Sequence, residues 1–257
     1  MPENHMEVLT DYQLVQEEQY TFPYHYADLI SDRHKYFKFI GPLDLIRIVK
    51  NKVLSLGKNV ILDAGCGDGR LCYELRNDKL TIVGIDYSES AVAFARAFNP
   101  GTDFFIQDLK NLDLPYQFDM IILMEVLEHF IPDQIPAILS SLSGVLKADG
   151  KLLVTVPTVN IRMPEKHYQH FTHESLSETL SPYFAIEEVT GYAKRGFVKR
   201  LYNFLKGMGN IFYPFRKDSA LARRYFAFYR RVYEKYVSTG EPDTCDGIMA
   251  VCRKTSI

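Results

Sequence analysis

An α/β fold built on a doubly wound parallel sheet is predicted by three features of the sequence. From Asn59 onward, short apolar runs alternate with stretches of helical periodicity, the pattern of repeated strand–helix–strand units. The first run, Asn59-Val-Ile-Leu-Asp-Ala64, is almost continuously apolar, as a central parallel strand buried on both faces should be. The glycine-rich loop Asp63-Ala-Gly65-Cys66-Gly67-Asp68-Gly69 follows, where such a strand turns into a helix.

The elements follow in order. The first 55 residues, with Asp28 to Ser55 mostly helical, are expected to form a helical cap in front of the sheet. Thr81 to Asp86 is the second strand and Phe104 to Ile106 a weaker third. Phe118 to Met124 is the fourth and Lys151 to Val156 the fifth, released by a turn at Asp149-Gly150. Ser88 to Phe98 and Pro132 to Leu146 read as helices, the former capped by Ser88 with Ala91, Val92 and Ala95 on one face. Thr172 to Leu180 is a capped helix, Phe184 to Val189 a sixth strand and Gly247 to Cys252 a seventh. Three segments result: a cap over 1–55, a sheet domain over 56–191 and 241–257, and a helical insertion over 192–240.

Composition narrows the class. With 47% hydrophobic and 24% charged residues in 257, the chain can bury a real core. No apolar run approaches the roughly 18 residues of a membrane-spanning helix. The amino terminus has no signal-peptide core. Cys66, Cys72, Cys245 and Cys252 show no zinc spacing, which points to a reduced, cytoplasmic protein. The net charge of −2 hides a strongly basic stretch. Between 192 and 236, twelve Lys and Arg face only Asp218 and Glu234. Phe197, Val198, Leu201, Tyr202, Leu205, Met208 and Phe212 recur there at helical spacing, opposite Lys199, Arg200, Asn203 and Lys206. Ala220 to Tyr236 looks like a second such helix. This insertion fits a solvated face, a peripheral membrane contact or an anionic acceptor.

The chemistry concentrates at strand ends. The loop spacing is GxGxG, which disfavours a nicotinamide dinucleotide. Asp86 ends the second strand, where an acidic side chain can accept hydrogen bonds from a ribose diol. Gln107-Asp108-Leu109, after the third, offers a carboxylate to an adenine amino group.

These residues resemble the class I S-adenosylmethionine-dependent methyltransferases. The likeness lies in VILDAGCGDG at 60–69, GIDYS at 84–88, QDL at 107–109, FDMIILMEVLEH at 118–129 and LKADGKLLVTVP at 146–157. It implies a Rossmann-like seven-stranded sheet with an antiparallel last strand, and S-adenosylmethionine as cofactor. By the same resemblance Gly65 and Gly67 approach the methionine part, Asp86 holds the ribose and Asp108 the adenine. Met124 and Glu125 line the pocket, and Asp63, Cys66, Tyr87, Gln107 and Leu109 complete the cofactor set. The FPYHY segment and HYQHFTHESL at 167–176 are similar to methyltransferases of polysaccharide and glycan biosynthesis, which implicates Tyr24, Tyr26, His167 and Tyr168 in acceptor binding.

The sulfonium is already a good leaving group, so transfer depends mainly on in-line placement. A hydroxyl acceptor also needs a base, and His129 or His170, on neighbouring edges of one crevice, is expected to supply it. The expected activity is therefore O-methylation of a small molecule or a sugar hydroxyl. Two rivals are a metal-dependent RNA 3′-terminal 2′-O-methyltransferase and a non-catalytic cofactor-binding module. The first would use Glu125, Glu128, His129 and His170, with the first three on one helical face. The acid- and Arg-rich segment of the RNA enzymes is missing, so neither a metal nor a nucleic-acid partner is expected.

Overall fold

A computed structural model describes residues 17–26, 29, 40–76, 79–212 and 220–255. The expected cap at 1–55 therefore lies in large part outside the described residues, including 1–16 and 30–39. What is described of it is two short 3₁₀ turns, Glu18–Thr21 and Tyr24–Tyr26, and helix α1, Ile40–Leu56.

The strands are β1 (Val60–Ala64), β2 (Thr81–Asp86), β3 (Asp103–Ile106), β4 (Phe118–Met124) and β5 (Leu146–Pro157), then β6 (Phe184–Lys194), β7 (Thr239–Gly240) and β8 (Cys245–Lys254). The remaining helices are α2 (Arg70–Leu75), α3 (Glu89–Phe98), α4 (Ile135–Val145), α5 (His173–Leu180), α6 (Phe197–Phe212) and α7 (Ala220–Tyr236). One mixed sheet runs β3-β2-β1-β4-β5-β8-β6-β7. The first five strands pair in parallel, and β8 runs antiparallel between β5 and β6.

The sheet has eight strands where seven are expected, and the extra one is minimal. The two residues of β7 bridge Gly191 and Tyr192 on the outer edge of β6, as the chain returns from α7. So short a pairing leaves no periodicity in the sequence. The Asp149-Gly150 turn is absorbed into β5 as a bulge, because Phe118 faces Leu146 while Met120 already faces Lys151.

Alternating side chains fill two layers. Leu62, Val83, Ile121, Val154 and Ile248 face α4 and α5, while Ile61, Ile82, Met120, Leu153 and Met249 face α1, α2 and α3. Both faces being covered, the ligand-accessible ground is left at the strand ends. Ser88 caps α3 by accepting from the Ala91 N–H at 3.0 Å, and Thr172 caps α5 in a reciprocal box with Ser175.

The insertion packs on the same molecule. Tyr202 of α6 is buried against Tyr233 of α7, and its hydroxyl donates to Asp44 of α1 at 2.7 Å. Its apolar face is divided: Val198, Tyr202 and Leu205 pack inward, whereas Phe197 and Phe204 stand 76% and 63% exposed.

On β8, Gly247 lies under the ring of Tyr192, whose Cζ is 2.0 Å from where a Cβ would stand. Gly247→Ala therefore overpacks a buried site and should cost about 1–3 kcal/mol. Urea unfolding checks this, and an unchanged midpoint would contradict it.

Candidate functional site

The glycine loop is tied to the end of β2. Gly65 and Cys66 N–H groups donate to the Ile85 carbonyl at 2.8 and 2.9 Å. The Gly67 N–H donates to Asp86 Oδ2 at 2.8 Å, and Ser88 N–H to Asp86 Oδ1 at 3.0 Å. Gly65, Gly67 and Gly69 all have positive φ, so the loop needs glycine for its conformation alone. Asp86 is buried, which pushes its carboxyl up to about 6 against the pull of the Ser88 and Gly67 N–H groups. Each oxygen keeps lone pairs beyond these two bonds.

The other cofactor-set positions differ in environment. Asp63 is buried beneath the loop, accepts from the Cys72 thiol at 3.4 Å and is pushed to about 7 by burial. Cys66 is buried, and burial raises its thiol pKa too. Asp108 is exposed and pairs with Lys110 at 3.2 Å. Gln107 is turned onto the Asp113 backbone, Leu109 is buried, and Tyr87 is half-buried.

The FPYHY segment covers the loop. The Tyr20 hydroxyl would meet a Cβ on Gly67 at 2.6 Å. His25 bonds Asp68 through its N–H and its ring, at 3.1 and 2.9 Å, and Arg70 donates to the His25 carbonyl. Tyr26, expected among the acceptor residues, is fully buried, stacked on Phe98 at 3.9 Å and bonded by Asn99. It packs beside the cofactor loop and offers no surface to an acceptor. Tyr24 is half-buried in the same cluster, 5.7 Å from Tyr20.

Beyond β4 the chain makes a sharp turn. Glu125 is left-handed at φ 57°, and its N–H is taken by Thr155. Its carboxylate accepts from the Tyr192 hydroxyl at 2.5 Å and from Thr155 at 3.2 Å. Met124 is half-buried at the end of β4. Val126 lies against Gly65, so this turn borders the glycine loop.

Glu128 and His129 follow in a single 3₁₀ turn, Leu127–His129, rather than an α-helix. Glu125 therefore does not join them on one face. Glu128 is fully buried, with both carboxylate oxygens lacking a hydrogen-bond partner. Burial first, then the Glu125 charge, pushes its pKa well up, while Lys166 opposes this. His129 Nε2 is 3.9 Å from Glu128 Oε1, and its Nδ1 bonds the Lys166 carbonyl at 3.0 Å.

The loop after β5 brings its histidines to the same place. The Tyr168 N–H donates to the Glu128 carbonyl at 2.8 Å. His167 lies edge-on to His129 at 4.7 Å, and its Nδ1 bonds His170 Nε2 at 2.9 Å. Burial holds His129 and His167 near 4 and 3, and His170 below its usual value, so all three are neutral at pH 7. His129, His167 and His170 thus form one cluster, while Tyr168 is half-buried beside it.

Tyr192, Tyr20 and Thr155 are contributors that the sequence did not single out. Tyr192 lies beyond the expected end of the sixth strand at Val189. A register shift between Ile186 and Glu188 turns Tyr192 to the layer opposite Phe184 and Ile186, so plain alternation along the strand does not reveal it.

Residues 61–150 match the family model described as a methyltransferase domain. The ubiquinone biosynthesis O-methyltransferase of Bradyrhizobium diazoefficiens is 31% identical over 109 residues, 41% of this chain and 42% of that protein. That of Coxiella burnetii is 31% identical over 147 residues, 53% of this chain and 62% of that one. The chain thus spans about half the length of the curated relatives it matches. Among solved structures, magnesium protoporphyrin IX methyltransferase from Synechocystis with bound SAM aligns at a TM-score of 0.59 and 19% identity, covering 96% of this chain and 98% of that one. N-methyltransferase NodS from Bradyrhizobium japonicum, in complex with S-adenosyl-L-homocysteine, aligns at 0.59 and 13%, covering 96% and 100%. These likenesses establish the fold.

Proposed function

We propose that this chain, whose residues 61–150 match a methyltransferase-domain model, moves the methyl group of S-adenosylmethionine to a hydroxyl of a small molecule or a sugar. The observation that carries this is the junction of Asp86 with the Gly67 N–H, which fixes a carboxylate beside a Cβ-free loop at the carboxyl ends of β1 and β2. A ribose diol can donate to the lone pairs Asp86 retains, and the methionine part can follow the loop. Asp108 reaches adenine by giving up its exposed pair with Lys110, which costs little in water. The oxygen acceptor is supported by the relatives' printed activity, which belongs to those proteins and not to this chain. It is supported also by the neutral imidazoles, which can help remove a hydroxyl proton.

The acceptor side has a charge of its own. An open cavity of about 720 Å³ is lined by Asn160, Arg162, Arg195, Lys199, Arg200 and Asp246, between the end of β5 and the start of α6. Arg162 and Arg200 have no ion pair among the described residues. With Phe197 and Phe204 exposed alongside, an anionic acceptor carried at a membrane surface fits this face.

Asp86→Ala should weaken S-adenosylmethionine binding by about 2–4 kcal/mol, as charged hydrogen bonds to two hydroxyls are lost. Asp86→Asn, which keeps the shape, should lose less, and calorimetry showing equal affinity in all three proteins would refute the assignment. Because the Asp86 pKa is raised to about 6, the accepting carboxylate is present above that pH. Cofactor affinity should hold at pH 7–8 and decline as pH falls below about 6. Arg162→Gln with Arg200→Gln should leave cofactor affinity unchanged. It should raise the acceptor KM or weaken binding to anionic vesicles, most at low salt, each charge being worth on the order of 1 kcal/mol there. Unchanged behaviour at every salt concentration would mark the charge as a solvated face.

A further inference from the structure

Three donors converge beyond β4. One ligand atom each from Glu128, His129 and His167 lies within 4.8 Å of the other two. Two come from consecutive residues of the 3₁₀ turn and the third from the loop after β5, joined to that turn by Tyr168 N–H to Glu128 carbonyl. The arrangement differs from the set the sequence suggested. Glu125 is turned away to Tyr192 and Thr155, and His170 stands behind His167.

Two independent features suggest an occupant. Both Glu128 oxygens are buried without a hydrogen-bond partner, an arrangement that is costly for a carboxylate unless something compensates it. Each imidazole is also anchored by its far nitrogen. His129 Nδ1 faces the Lys166 carbonyl at 3.0 Å, which fixes the proton there and leaves Nε2 as a lone pair on the Glu128 side. His167 Nδ1 lies 2.9 Å from His170 Nε2, and with Nδ1–H donating there, His167 Nε2 carries the lone pair. Outer hydrogen bonds of this kind orient histidine ligands in metal sites.

We propose that Glu128, His129 and His167 bind one divalent first-row transition ion of the zinc class. Two imidazoles and one carboxylate are borderline donors that suit such an ion better than magnesium, which prefers an all-oxygen shell. Three protein ligands leave a coordination position open. The competing counter-charge is Lys166, whose ammonium acts on both Glu128 and Glu125. A dication bound by Glu128 displaces that role.

The function of the ion rests on the methyl transfer proposed above; its binding does not. In the open position a hydroxyl acceptor would bind through oxygen and lose its proton to water more readily. The oxygen lone pair then forms the O–CH₃ bond as the C–S bond breaks, and its electron pair stays on sulfur as the neutral thioether. His129 is a ligand in this scheme, and no residue need act as a strong base.

The test is direct. Chelator-treated, dialysed full-length protein is titrated with Co²⁺ and followed by visible absorption, and with Zn²⁺ by calorimetry. One saturable site is expected, with affinity more than tenfold weaker in Glu128→Gln and in His167→Ala. His167 is half-buried on a loop, so its variant remains informative if Glu128→Gln fails to fold. S-adenosylmethionine binding, measured in the same samples, should not depend on the ion, so failure of the cofactor reading would be seen separately. Absence of saturable binding, or binding that both variants retain, would overturn the proposal and leave Lys166 as the partner of Glu128.

Discussion

The glycine-loop end of the sheet depends on one carboxylate. Asp86 takes one backbone N–H from the glycine loop and another from the start of α3, and so clamps two chain reversals at the ends of β1 and β2. Without it, the Gly67 N–H would face a buried carboxyl-end crevice with nothing to satisfy it. Burial raises the pKa of the clamp, and the two N–H donors restrain that rise. Anchoring of the loop and readiness to accept further hydrogen bonds are therefore properties of the same side chain.

The N-terminal segment extends the clamp outward. Asp68, the loop residue after Gly67, is fully buried and is held by His25 through both its backbone N–H and its ring. Arg70 then joins the His25 carbonyl to Glu74 on α2. Closing the segment over the loop thus replaces water around Asp68 with two fixed donors, and Tyr26 fills the space against Phe98. A cover held this way encloses the glycine loop.

The sheet and the glycine loop were legible because their physics is local. Strands buried on both faces are written as apolar runs, and a loop of left-handed glycines follows the first of them. The 125–129 turn was not legible in the same way. The spacing of Glu125, Glu128 and His129 suits a helix, but Glu125 adopts a left-handed conformation that only tertiary partners make tolerable. Those partners, Thr155 and Tyr192, come 30 and 67 residues later. Tyr26 misled for a related reason: an aromatic-rich segment signals ring contacts without saying whether the partner is a ligand or the fold's own Phe98. The two-residue β7 left no pattern at all.

Glu125 shows how the strand ends are coordinated. Its strained backbone is held by Thr155 on β5, and its side chain by Tyr192 on β6. Tyr192 can reach it because Gly247 on β8 leaves room for the ring. Three strands beyond β4 thus determine how the chain leaves β4, and that exit determines where Val126 meets Gly65 and where Glu128 and His129 point. Val126 against the glycine loop and the Glu128–His129 pair are consequently positioned by one turn. The methyl transfer proposed above would demand that cofactor and acceptor be held in fixed relation, and a shared rigid turn meets that demand more simply than two independent loops could.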